Sequence, residues 1–165
     1  EALDVTRKTR EQLEKAIGPK EAWSQFANFV NKFNAKGSPY YAPIPVGYNI
    51  NNFDLPIVNR YCELYGPKDE KSGKQKLFNQ VFKVDMMDNM FMWFEDHTDV
   101  QKLNLDYLRG YLGFSEKSKA NAHDALSDVL DTGNLFTRFL KFHRRHSSKT
   151  KFEKSFAGVE LDLSL

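Results

Sequence analysis

The chain has 165 residues, 41% hydrophobic and 28% charged, a length and balance that predict one globular domain with a substantial core. A net charge of +2 does not announce a nucleic-acid partner, a single cysteine excludes an internal disulfide framework, and no apolar run is long enough to cross a bilayer. The polar opening, Glu1 to Glu14, is unlike a signal peptide, so an intracellular, cytoplasmic protein with no membrane contact is expected.

Taken in order, Thr9 to Ile17 reads as a short helix closed by Gly18-Pro19. A second helix is expected over about Lys20 to Phe33, with Trp23, Phe26, Phe29, Val30 and Phe33 recurring at helical spacing as core residues. Ala42 to Tyr48 is short, apolar and rich in Ile and Val, and predicts a buried strand that two prolines weaken. Asn49, Asn51 and Asn52 mark a loop able to cap a helix over Phe53 to Leu64, within which Cys62 reads as a buried hydrophobe.

Gly66 to Lys76 reads as a mobile surface loop. A second strand is expected over Leu77 to Asp85, then a helix through Met86, Met90, Phe91 and Phe94. After a short helix at Leu105 to Tyr111, Gly113 to Lys119 leads into a long helix from Ala122 to about His143. Lys141, His143, Arg144, Arg145, His146, Lys149, Lys151 and Lys154 crowd the end of the chain. Such a run reads as a solvated helix end or tail, with contact to a phosphate backbone as the alternative. The expected organisation is α/β, with a main domain over residues 1–146 and a basic tail over 147–165.

Two acids stand out by context. Asp54 falls on the first turn of a helix that follows a buried strand, where sites form in open α/β sheets, although a helix-opening acid also simply favours the macrodipole. Asp128 lies in a helix whose other face is expected to be the apolar stripe of Leu126, Val129, Leu130, Leu135 and Phe136. Asp124 reads as the third helical residue of a capping arrangement begun by Asn121, and Asp131 as solvated. His123 stands five residues before Asp128, a rotation of about 140° on a helix. The two reach one point only if His123 sits on the opening turn or in the loop before it, which suits a proton acceptor above a metal-held carboxylate.

Gly47-Tyr48-Asn49 followed by Phe53-Asp54-Leu55-Pro56 resembles the second motif of the DnaQ-like 3′–5′ exonucleases. Ala122 to Asp128 resembles their third motif in its histidine (DEDDh) form, and Asn104 to Gly113 the segment before it. Glu1 to Glu11 looks like the stretch after the family's first strands, so the likeness covers about Glu1 to Phe142. The resemblance implies an RNase H-like fold, a mixed sheet flanked by helices. It also implies two-metal phosphodiester hydrolysis at the 3′ end of a single strand, DNA ahead of RNA. By position, Asp128 would ligate magnesium or manganese directly, Asp54 directly or through water, and His123 would be the general base, with Tyr48 and Asn49 near the substrate.

The family's first motif, an Asp-x-Glu on an N-terminal antiparallel strand, is not found in the chain. The expectation is therefore that the natural protein carries more residues upstream of Glu1, and that this chain alone is weak or inactive as a nuclease. Glu160-Leu161-Asp162, in the alternating Val159 to Leu165, is a weaker substitute because its order is reversed. The competing readings are a nuclease-derived module that binds nucleic acid or a partner protein, and a phosphodiesterase of the same fold acting on RNA.

Overall fold

The computed structural model describes residues 9–114 and 124–147. The first helix, α1 (Arg10–Glu14), opens with a capping box: Thr9 Oγ1 accepts from Gln12 N, and Gln12 Oε1 accepts from Thr9 N at 2.9 Å. The Gly18-Pro19 pair does not close this helix but opens the next, α2 (Pro19–Asn31), because proline at the first helical position loses no intrahelical bond. On α2, Trp23 and Val30 are buried two turns apart, whereas Phe26 and Phe29, and Phe33 just beyond the helix, all expected in the core, are exposed.

The two expected strands are far shorter than the apolar runs that suggested them. β1 (Val46–Gly47) and β2 (Val84–Asp85) form a two-stranded parallel sheet with Val46 opposite Val84 and Gly47 opposite Asp85. Pro43 and Pro45 have no N–H to offer a ladder, so only their carbonyls act, accepting from Asn79 N and Val84 N at 2.9 Å each. Leu77 and Asn79, upstream of β2, are nevertheless buried without being strand.

The helix after β1, α3 (Asp54–Tyr65), has no side-chain cap, so the three asparagines do not cap it as expected; Leu55 N donates instead to Ile50 O at 2.9 Å. Asp85 ends β2 and caps α4 (Met86–Phe94), accepting from Met87 N at 3.0 Å. Asn104 caps α5 (Leu105–Tyr111), whose bounds match the expectation. The long helix α6 (Ala125–Ser147) follows. Asp124 stands immediately before α6 and accepts from Ser127 N at 3.2 Å, so it serves as a cap and not as the third helical residue.

Two clusters form the core. In one, Trp23 and Val30 of α2 meet Cys62 of α3 and Leu77, and the Trp23 indole donates to Gly66 O at 2.5 Å. In the other, Met86 and Met90 of α4, Leu108 of α5 and Leu135 of α6 pack together beneath Val46 and Val84. The α6 stripe turned inward is Asp131, Thr132 and Leu135, while Leu126, Val129 and Leu130 are exposed, which reverses the expected apolar face at its start. The fold is thus helix-dominated and mixed, with the small parallel sheet packed against the second cluster. Among the described residues no helix is long and apolar enough to cross a membrane.

Candidate functional site

The loop between β1 and α3 carries the first half of the predicted site. Asn49 adopts a left-handed backbone, φ 57°, one of the few conformations in which asparagine replaces glycine at little cost. The turn it makes is held by a residue that the motif reading passed over. The buried Asp85 carboxylate accepts from Asn49 N at 2.8 Å through Oδ1 and from Asn51 N at 3.2 Å through Oδ2, besides capping α4. A single carboxylate at the end of β2 therefore fixes the path of the chain leaving β1 and, with it, where α3 begins.

Asp54 opens α3 under these constraints. Partial burial pushes its carboxyl above the ordinary range, a hydrogen bond from its own backbone opposes this, and the charge of Asp85 adds to the rise. The two candidate substrate residues have structural partners. The Tyr48 hydroxyl donates to Leu103 O, and burial first and the Asp85 charge second push it well above the usual phenol range. Asn49 Oδ1 accepts from Asn52 Nδ2 at 2.9 Å.

The second half lies on the first turns of α6. Asp128 is half-buried, and its Oδ1 accepts from Arg109 Nη2 of α5 at 2.5 Å. The same guanidinium donates through Nε to Asp131 Oδ2 at 2.8 Å and through Nη1 to Asp106 Oδ1 at 2.5 Å. Burial would lower the affinity of Arg109 for its proton, but Asp128, Asp131 and Asp106 outweigh this and raise it. Asp131, expected to be solvated, is buried in this pairing.

His123 lies outside the described residues, as do Asn121, Ala122, Lys149 to Lys154, Glu160 and Asp162. The described end of the basic run, Lys141 to His146, is exposed on the last turns of α6. The structure therefore sets Asp54 near Asp85 and ties Asp128 to Arg109. Among the described residues no three Asp, Glu, His or Cys side chains are placed to hold a metal ion together. In kind, however, Asp54 and Asp128 fit magnesium or manganese, since both offer the hard carboxylate oxygens these ions take.

Asp85 was legible as a cap, an aspartate directly before a helical apolar pattern. Arg109 left a fainter signal, lying four residues after Leu105 and three before Leu112, on a face that apolar residues share. No protein-family model, curated protein or solved structure matches the chain.

Proposed function

We propose that this chain carries the second and third motifs of a DnaQ-like 3′–5′ exonuclease, an RNase H-like enzyme that removes nucleotides from single-stranded DNA in the cytoplasm. The observation that carries the reading is the packing of α6 against β1. The helix that bears Asp128 on its first turn thus lies against the strand whose loop leads to Asp54. Val46 of β1 packs against the cluster that holds Leu135 of α6, so the strand that leads to Asp54 and the helix that carries Asp128 share one core.

Asp54 and Asp128 are the residues that would hold magnesium or manganese in this reading. The chemistry that two such ions supply when bound is charge neutralisation at the scissile phosphate and acidification of water. His123 accepts the proton of the attacking water on a ring nitrogen, a role matched to an imidazole that titrates near neutrality. Asp85 orients the loop before Asp54. An open cleft of about 1070 Å³ runs beside α3, and its lining includes Arg60, Lys68, Lys74 and Lys83 against two carboxylates, Glu63 and Asp69, an excess of cations able to attract a phosphate backbone.

The natural full-length protein should shorten a 5′-labelled single-stranded DNA from its 3′ end, and EDTA should stop it. A matched RNA should be shortened more slowly; faster loss of the RNA would move the reading to an exoribonuclease of the same fold. Intact DNA and RNA at saturating magnesium would favour the second reading, a nuclease-derived module that binds nucleic acid or a protein. That alternative accounts for Asp128 through its charge partner Arg109 alone, with no cation required.

A further inference from the structure

Arg109 is almost wholly buried, with 2% of its side chain exposed, yet it meets three carboxylates. One suffices to balance its charge, and Asp131, itself only 7% exposed, is the partner that burial demands. Asp106 and Asp128 are in excess of that need and lie nearer the surface, at 46% and 38% exposed. The arrangement has a geometric consequence that charge balance alone does not require. A guanidinium is a rigid planar fork, so once Nε is fixed on Asp131 and Nη1 on Asp106, the direction of Nη2 is set as well. Nη2 is the atom that holds Asp128 Oδ1.

Resting on the exonuclease reading, we propose that Arg109 is a positioning residue for Asp128. It anchors one carboxylate oxygen from beneath and leaves Oδ2 for a divalent cation. The fork joins α5 to α6, so the orientation of Asp128 is fixed by two helices and not by its own rotamer alone. Asp128, Asp131, Thr132 and Leu135 share one face of α6 at spacings of three, four and seven residues. The candidate ligand therefore stands at the solvent end of the helix's buried stripe, and Arg109 covers the step between them. A carboxylate already held in place loses less freedom when it takes a cation, which is the benefit of preorganisation.

The test is Mn2+ binding by the natural full-length protein, read from loss of the free-ion paramagnetic resonance signal well below the melting temperature, with digestion of single-stranded DNA in parallel. Arg109→Lys keeps the buried charge and removes the fork. It should raise the half-saturating Mn2+ concentration by about tenfold, the usual cost of losing a group that orients a metal ligand. Arg109→Gln should raise it further and also lower the melting temperature; the lysine variant keeps the test decisive where the glutamine variant fails to fold. A merely structural arginine would lower the melting temperature and leave Mn2+ binding unchanged. Mn2+ binding unaltered in Arg109→Lys but weakened in Asp128→Asn would overturn the proposal alone. Mn2+ binding and digestion both unaltered in Asp128→Asn would overturn the exonuclease reading and the proposal with it.

Discussion

Asp85 gathers more of the candidate site than either motif acid, because one buried carboxylate accepts from the backbone of Asn49, Asn51 and Met87. Asp85→Ala leaves these donors without their acceptor and should cost about 3 kcal/mol in chemical denaturation. Asp85→Asn, which keeps one acceptor oxygen, should recover part of that loss. Cys62 carries a different prediction. Burial pushes its thiol up to about 11, against a hydrogen bond from the Leu77 backbone that lowers it. The folded protein therefore holds that proton more tightly than the unfolded chain, whose thiol titrates near ~8.5. The resulting stability is fully present below that value and is lost as pH rises through about 11. Denaturation of the protein beside Cys62→Ala should show the difference narrowing over this window, whereas a constant difference would contradict the burial of the thiol.

At the scale of elements, sequence pattern located helices well and strands poorly. The bounds of α5 and the start of α4 follow from caps, Asn104 and Asp85, which are local signals. The strands shrank to two residues each because Pro43 and Pro45, whose weakening effect was visible in the sequence, remove the donors a longer ladder needs. The inward face of α6 departs from the expected apolar stripe because periodicity counts apolar residues, whereas the buried stripe begins with Thr132 and with Asp131, which pairs with Arg109 from another helix. Gly47 joins strand and loop in one prediction. A Cβ there would lie 2.8 Å from the side chain of Ile50, which is only 6% exposed and has little room to move. Gly47→Ala should destabilise by about 2 kcal/mol, as overpacking does. Unchanged stability would mean that β1 and its loop do not pass this closely.

Over the whole molecule, two core clusters and a small sheet are held together by elements far apart in sequence, with α6 reaching both β1 and α4. The helices that carry Asp54 and Asp128 were legible in the sequence, because both residues sit beside local signals of turn and helix. Their tertiary partners were not, since Asp85 reaches back across 36 residues to Asn49 and Arg109 forward across 19 to Asp128. The central claim, the proposed catalytic roles of His123 and Asp128, is tested most directly by the rate at which the natural full-length protein and its His123→Ala and Asp128→Ala variants digest single-stranded DNA in magnesium. Each variant should lose about a hundredfold or more while keeping its native circular dichroism. Digestion at the parent rate by both folded variants would contradict the account.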